Sequence, residues 1–215
     1  MKARLSGLYA VTPDLNDTTR LLEVVEAALR GGASLLQYRN KLATEDLRLE
    51  QASALLNLCR HHAVPLIIND FPELCSAVDA DGVHLGGTDG EIAVARAQLG
   101  SDKIIGLSCY DRLDLAVAAR HAGADYVAFG SCFGSNTKPE AVNASLELFG
   151  QARHRMDLPM VAIGGITAQN GKLAIDAGAD ALAVIAALFD VPDVQQAAQT
   201  FSNLFIQEPR ELNPS

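Results

Sequence analysis

The stretch HAGADYVAF (residues 121–129) contains a pattern that recurs along the chain. RGGASLLQY (30–38) and DAGADALAV (176–184) share its order of a helix end, a glycine and an apolar run, and VDADGVHL (78–85) is a looser fourth copy. Glycine adopts the left-handed conformation at a helix end at the lowest cost, so it marks where a helix gives way to the next strand. The repeated unit is therefore a helix followed by a buried strand.

Eight apolar runs alternate with segments whose apolar residues have helical spacing. The runs cover residues 7–12, 34–39, 65–70, 82–87, 103–108, 126–131, 159–165 and 181–186. Near-continuous apolar character is typical of parallel strands covered by helices. Eight βα units in about 200 residues predict an α/β fold, a single-domain (β/α)8 TIM barrel. A doubly wound open sheet is the alternative, weakened because no GxGxxG follows the first run.

Charge and composition limit the function. The formal net charge is −9, which argues against a nucleic-acid partner but leaves room for a local basic pocket for an anion. No apolar run approaches the ~20 residues of a membrane span, and the N-terminus lacks the apolar region of a signal peptide. The four cysteines form no CxxC motif, which is typical of reduced thiols. We expect a cytoplasmic protein of one domain, residues 1–215, with a polar tail from about residue 206.

The second strand ends in QYRNK (37–41). Chemistry in a barrel of this kind lies at the C-terminal ends of the strands. Gln37, Arg39 and Lys41 alternate, so in an extended chain they point the same way and can line a polar pocket. A solvated strand end is the alternative.

Carboxylates follow the third and fourth strands. Asn69 and Asp70 end the third, and Asp89 lies in a glycine-rich turn after the fourth. Mg²⁺ typically takes one or two carboxylates and completes its shell with water and phosphate, so Asp70 and Asp89 are candidate ligands. Alternatively, Asp70 caps a helix that starts at Phe71–Pro72. His84 is expected to be a satisfied interior histidine rather than a ligand.

The loop after the sixth strand has the composition of a phosphate site. AFGSCFGSNTKPEA (128–141) combines glycines and hydroxyls with Lys138. It is not a P-loop, because Pro139 follows the lysine. Loops after the last two strands, at Gly164–Gly165 and after Ile185, are a second candidate phosphate site. Phosphate sites, a carboxylate pair and lysines without a strong general base favour chemistry in which diphosphate leaves.

Six motifs together resemble one family. QYRNK, IIND, GVHLGGTD, GLS, FGSNTK and AIGGI stand in the order and spacing of the thiamine phosphate synthases, and the resemblance runs from about Leu8 to Phe205. It implies a (β/α)8 barrel that joins 4-amino-2-methyl-5-hydroxymethylpyrimidine diphosphate (the pyrimidine diphosphate) to 4-methyl-5-(2-phosphohydroxyethyl)thiazole (the thiazole phosphate). Thiamine phosphate and diphosphate are the products, and diphosphate departs before the thiazole nitrogen attacks.

The resemblance also implies roles for individual residues. The pyrimidine diphosphate would meet Gln37, Tyr38, Arg39, Asn40, Lys41, Asn69, Ser108 and Lys138. The thiazole phosphate would meet Ser135, Asn136, Thr137, Gly165, Ile185 and Ala186. Mg²⁺ would bind Asp70 and Asp89, and these two carboxylates together with Lys138 would be the catalytic groups.

The chain departs from the family pattern in the loop after the sixth strand and again after the eighth strand. Ser131 and Gly134 replace prolines, which predicts a more flexible loop. Ala186 replaces a serine, which predicts thiazole phosphate binding weaker by up to ~1–2 kcal/mol, the scale of one hydrogen bond. Two other functions remain open on the same barrel. One is a thiazole tautomerase, which would need acid–base chemistry and no diphosphate site, and the other is a non-catalytic phosphate-binding protein.

Overall fold

A computed structural model describes residues 5–87, 92–134 and 144–206 of the chain. Eight parallel strands pair in chain order and close into a barrel, as predicted. The strands are β1 (Gly7–Val11), β2 (Leu35–Tyr38), β3 (Leu66–Asn69), β4 (Gly82–Leu85), β5 (Ile104–Tyr110), β6 (Tyr126–Phe129), β7 (Met160–Ile163) and β8 (Ala181–Val184). The described residues form helices α1 (Thr18–Arg30), α2 (Glu45–His61), α3 (Pro72–Val78), α4 (Ile92–Leu99), α5 (Leu113–His121), α6 (Glu147–Arg153), α7 (Gly171–Asp176), α8 (Ala186–Phe189) and α9 (Val194–Asn203).

The strands bury both of their faces. One apolar cluster fills the barrel interior and includes Tyr9, Ile67 and Val161. A second, larger cluster lies between the barrel and the helices and includes Leu36 and Val83. Because successive side chains of a strand enter opposite clusters, the sequence shows continuous apolar runs rather than alternation.

The repeated phrase ties neighbouring strands together at their N-terminal ends. Asp81, Asp125 and Asp180 accept hydrogen bonds from backbone N–H groups at the start of β3, β5 and β7, over 2.8, 2.9 and 2.8 Å respectively. Ser34 takes the equivalent place before β2 and donates to the carbonyl oxygens of Ser6 and Leu8. These hydrogen bonds serve stability rather than catalysis, because the chemistry of such barrels lies at the other end of the strands.

We expect Asp180→Ala to lower the free energy of unfolding by about 1–3 kcal/mol, because it removes the acceptor of the Met160 N–H and the partner of Arg153. Asp157→Ala is the control: its side chain is 88% exposed and lies 3.5 Å from Arg120. An exposed pair of this kind contributes about 0–1 kcal/mol. Urea unfolding of both variants measures the free energy of unfolding. Equal losses of stability in the two variants would contradict a stabilising role for the Asp180 hydrogen bond.

Other expectations concern the thiols, the membrane and the tail. Cys59, Cys75, Cys109 and Cys132 are free and buried, and burial raises their pKa to about 12, 11, 12 and 11 in that order. Within the described ranges no helix is long and apolar enough to span a bilayer. Residues 207–215 of the predicted tail lie outside the described residues.

Candidate active site

A cavity of about 250 Å³ opens at the C-terminal end of the barrel beside β2 and β3. Its lining comprises Tyr38, Asn40, Lys41, Arg48, Asn69, Asp70 and Phe71. The structure thus brings together predicted residues from two different strand ends. Two cationic side chains and one carboxylate share the cavity, which suits an anion that carries a metal ion.

The backbone of Asp70 has an unusual conformation. Its φ is 64°, and its N–H donates to the carbonyl oxygen of His84 over 2.9 Å. One carboxylate oxygen accepts a 2.6 Å hydrogen bond from the Asn69 amide. Helix α3 begins only at Pro72, and its cap residue is Phe71, which makes no side-chain capping bond. The alternative that Asp70 caps this helix is therefore not supported, and its carboxylate lines the cavity instead.

Asp14 organises the loop after β2. Its carboxylate forms an ion pair with Arg39 at 3.2 Å and accepts the N–H of Lys41 over 2.9 Å. Buried Thr12 exchanges two further hydrogen bonds with the backbone of Arg39. Asp14 and Thr12 were not among the predicted site residues, although they follow β1 just as polar residues follow β2 and β3. The guanidinium of Arg39 is thus paired with Asp14. Of the three alternating residues predicted to line one polar pocket, Lys41 lines the cavity, whereas Gln37 and Arg39 do not.

Gln51, which the sequence did not indicate as a site residue, accepts hydrogen bonds from both Tyr38 and Asn40. The Tyr38 hydroxyl and the Asn40 amide both donate to Oε1 of Gln51, over 2.8 and 3.2 Å. Burial is the main cause that raises the pKa of Tyr38 to about 12. Gln51 is fully buried on α2 and donates to the carbonyl oxygen of Leu15. The two predicted residues therefore shape the cavity wall with polar groups that already have partners.

Arg48 is a second cation that sequence reasoning missed. It lies one turn before Gln51 on α2, far from any strand end, so only the packing of the helix places it at the mouth. Its guanidinium lies 4.4 Å from the centre of the Phe71 ring and donates to the carbonyl oxygen of Ala43. These contacts orient Arg48 along the cavity wall.

Gln37 and Ser108 are the two ends of a hydrogen-bonded row through the barrel interior, which we call the interior chain. Gln37 Nε2 donates to the Tyr9 hydroxyl over 2.8 Å, and that hydroxyl lies 2.8 Å from the hydroxyl of Tyr126. His84 Nδ1 lies 2.8 Å from the same Tyr126 hydroxyl, and His84 Nε2 lies 2.9 Å from Ser108 Oγ. Five strands contribute one residue each.

Burial governs the titration of the interior chain. It lowers the pKa of His84 to about 4, so the imidazole is neutral at neutral pH. It also raises the pKa of Tyr9 and of Tyr126 far above the ordinary value. The prediction that His84 is a satisfied interior histidine is confirmed, because it is buried and both of its nitrogens have partners.

The loops after β6 and β7 lie against each other. The N–H groups of Cys132 and Phe133 donate to the carbonyl oxygens of Ile163 and Gly164 over 2.9 and 3.0 Å. Gly165 has φ 64° and approaches the other loop so closely that a Cβ there would lie 2.4 Å from the Phe133 carbonyl oxygen. Predicted Gly165 is thus the contact point between the two loops.

After β8, Ile185 is the cap residue of the short helix α8 and Ala186 is its first residue. Ala186 is exposed. Because β7 and β8 are paired, with Ile163 opposite Ala183, the segments that carry Gly165 and Ile185 leave the barrel side by side.

Several predicted residues lie outside the described residues: Asp89, Ser135, Asn136, Thr137 and Lys138. Asp70 is the predicted metal ligand that the structure describes. Among residues 5–87, 92–134 and 144–206, no three His, Cys, Asp or Glu side chains are grouped as a metal site. A magnesium ion held by one or two carboxylates and substrate phosphate does not require such a group.

Comparisons with known proteins agree with this geometry. The profile of the thiamine monophosphate synthase family matches residues 8–188. The chain is 57% identical over 201 residues to thiamine-phosphate synthase of Methylobacillus flagellatus, covering 94% of this chain and 96% of that protein. It is 53% identical to thiamine-phosphate synthase of Thiobacillus denitrificans, covering 98% and 100%. The solved thiamine phosphate pyrophosphorylase from Pyrococcus furiosus superposes with a TM-score of 0.82 at 34% identity, covering 92% and 94%.

Proposed function

The chain belongs to the thiamine monophosphate synthase family, and we propose that it catalyses the formation of thiamine phosphate at the C-terminal end of its barrel. Mg²⁺ is the proposed cofactor, and diphosphate leaves before the new bond forms. The activity is that of a transferase acting on small molecules. The relatives reported above are named as synthases, and nothing in the comparisons favours the tautomerase alternative.

The charge of the cavity is the observation that carries the proposal. Lys41 and Arg48 line it together with Asp70, so a diphosphate group would find two cations and an attachment point for its metal ion. Asp70 fits that role because its carboxylate does not cap α3 and is oriented by the Asn69 amide. Asp89 remains the second proposed ligand. Bound there, Mg²⁺ would supply positive charge next to the diphosphate.

The residues at the mouth would act mainly by positioning and by stabilising charge. Lys41, Arg48 and the proposed catalytic Lys138 would hold the leaving diphosphate as negative charge develops on it. The neighbouring thiazole site would place the attacking nitrogen next to the pyrimidine methylene carbon, which gives the advantage of an intramolecular reaction. His84 is unsuited to general-base catalysis, because burial lowers its pKa to about 4 and both of its nitrogens have partners.

The thiazole phosphate would bind between the loops after β6, β7 and β8. Gly165, Ile185 and Ala186 are the proposed contacts on the described side, and Ser135, Asn136 and Thr137 are those outside it. The backbone N–H groups at the start of a helix suit an anion, and glycine allows a close approach. We further propose a cytoplasmic enzyme without a nucleic-acid partner, in keeping with its net charge of −9.

We expect Ala186→Ser to strengthen thiazole phosphate binding by up to about 1–2 kcal/mol, because an exposed position at the start of α8 has room for a hydroxyl that donates to phosphate. The KM for thiazole phosphate in steady-state assays measures the effect. The KM for pyrimidine diphosphate is the internal control and should not move. An unchanged thiazole phosphate affinity would show that this hydroxyl contact does not form.

Purified protein with both substrates and Mg²⁺ tests the proposed function. Diphosphate and thiamine phosphate should appear in equal amounts, and chelation of the metal should stop both. Binding of thiazole phosphate without either product would instead favour the tautomerase or the non-catalytic protein. Product formation that survives chelation would contradict the metal requirement alone.

A further inference from the structure

The interior chain occupies a place that apolar side chains usually fill. The interior of such a barrel is a packed core dominated by Val, Ile and Leu. Here Tyr9 and Tyr126 are fully buried among Val11, Ile67 and Val161, and each hydroxyl needs a hydrogen-bond partner at that depth. A buried polar network is stable only when all of its members are satisfied, so its presence calls for a reason.

The surrounding sequence makes room for the interior chain. Gly106 lies within β5, where glycine weakens a strand. A Cβ at Gly106 would lie 2.0 Å from Cζ of Tyr126, so no larger residue fits beside that ring. The ring of Tyr126 in turn stacks on His84 with 5.5 Å between centroids and meets the ring of Tyr9 edge-on at 6.0 Å. Packing therefore fixes the hydroxyls and the imidazole at their hydrogen-bonding distances.

The amide of Gln37 sets the direction of every proton in the interior chain. Its nitrogen donates to Tyr9, and every polar group of the row has a partner when the Tyr9 hydroxyl donates to Tyr126 and the Tyr126 hydroxyl donates to Nδ1 of His84. A neutral imidazole that accepts at Nδ1 carries its proton on Nε2, which then donates to Ser108. The hydroxyl proton of Ser108 is thereby left for an acceptor other than His84. Rotating the side-chain amide of Gln37 by half a turn would exchange its nitrogen and oxygen. Donor and acceptor would then change places in every hydrogen bond of the interior chain.

We propose that Tyr9, Tyr126 and His84 are positioning residues that couple Gln37 to Ser108, so that the two ends always present complementary hydrogen-bonding groups to the pyrimidine substrate. In the direction described, Ser108 offers a donor while the carbonyl oxygen of Gln37 faces away from Tyr9 as an acceptor. An aminopyrimidine carries both an amino donor and ring-nitrogen acceptors, whereas a ring that presented two donors or two acceptors to these ends would be disfavoured at one of them. This inference rests on the proposed function.

Tyr126→Phe cuts the interior chain in the middle while its ring still fills the space next to Gly106. We expect kcat/KM for pyrimidine diphosphate to fall about tenfold or more, on the scale of one buried hydrogen bond, with the KM for thiazole phosphate unchanged. Added to Ser108→Ala, the same change should cost almost nothing further, because the coupling acts through Ser108. Losses that multiply in the double variant would overturn the proposal.

Ser34→Ala is the matched control, since it also removes a hydrogen-bonded hydroxyl but at the other end of the barrel. It should leave kcat/KM within about twofold of the parent value. A loss in this control as large as that of Tyr126→Phe would attribute the effect to general destabilisation and overturn the proposal.

Nitrogen-15 NMR of the full-length enzyme without substrates tests the proton order independently of activity. His84 should show a protonated Nε2 and an unprotonated Nδ1 at neutral pH. A proton on Nδ1 would overturn the assignment of Ser108 as the donor and Gln37 as the acceptor, and an imidazolium, which donates from both nitrogens, would overturn the coupling itself. Failure of the proposed function would appear differently, as the absence of thiamine phosphate from the unaltered enzyme, whatever the histidine spectrum shows.

Discussion

Asp70→Asn is expected to lower kcat/KM for pyrimidine diphosphate by at least about 100-fold, the scale on which a single charge-stabilising group acts in a catalytic site. The amide keeps the size and the hydrogen-bonding capacity of the side chain but loses the negative charge that would attract a divalent ion. Asparagine also tolerates the left-handed backbone at φ 64°, so the fold should be retained. The Mg²⁺ concentration for half-maximal rate should rise by at least about tenfold.

Asp79→Asn provides the matched control. Asp79 also has a left-handed backbone, with φ 59°, but it lies at the N-terminal end of β4 and pairs with Lys103 and Arg60. Its replacement should leave kcat/KM within about twofold of the parent. Titration of the rate with Mg²⁺ in both variants provides the measurement. If Asp70→Asn kept the parental dependence on Mg²⁺, Asp70 would not be a ligand of the ion.

Gly165→Ala should raise the KM for thiazole phosphate by at least about 30-fold, a larger change than in the KM for pyrimidine diphosphate, most of whose proposed contacts lie on other strands. Alanine with φ 64° is strained by about 1–2 kcal/mol, and its Cβ would lie 2.4 Å from the Phe133 carbonyl oxygen and 2.8 Å from that of Gly134. Both neighbours are backbone atoms of the loop after β6, so that loop must move away. The proposed thiazole phosphate contacts lie on both sides of this junction.

Gly100→Ala separates the strain from the clash. Gly100 has φ 79°, and a Cβ there would meet nothing within 4 Å. Both variants should lose stability, by about 1–2 kcal/mol for Gly100→Ala, but only Gly165→Ala should change a KM. Steady-state kinetics and thermal unfolding of the two proteins test this. Equal KM values in both variants would show that the loops do not need their close contact to bind thiazole phosphate.

The fold could be predicted because it depends on a repeated local signal. Each strand is a short run buried on both faces, and the phrase around Gly123 marks the passage from helix to strand. Sequence alone could not reveal why Asp125 and Asp180 recur in that phrase. Their role depends on which N–H group of the neighbouring strand faces them, and that is a matter of register.

The candidate site was predictable where a polar residue follows a strand directly, as at Lys41, Asn69 and Asp70. It was not predictable where helix packing supplies the group, as with Arg48 and Gln51 on α2. The interior chain was hidden for a different reason. Tyr9 and Tyr126 lie in runs that are apolar in character, and their hydroxyls meet only because the barrel brings β1 and β6 across from each other.

The ties at the N-terminal ends of the strands also bear on how the barrel assembles. The Asp81, Asp125 and Asp180 ties join residues only 15, 20 and 20 positions apart in the chain. The entropy lost on closing such short loops is small, whereas pairing β1 with β8 brings together Gly7 and Ala181 across most of the chain. Short-range closure therefore favours pairs of adjacent strands, each a quarter of the barrel, as the first cooperative units. The pairing of β1 with β8 is then the last to form.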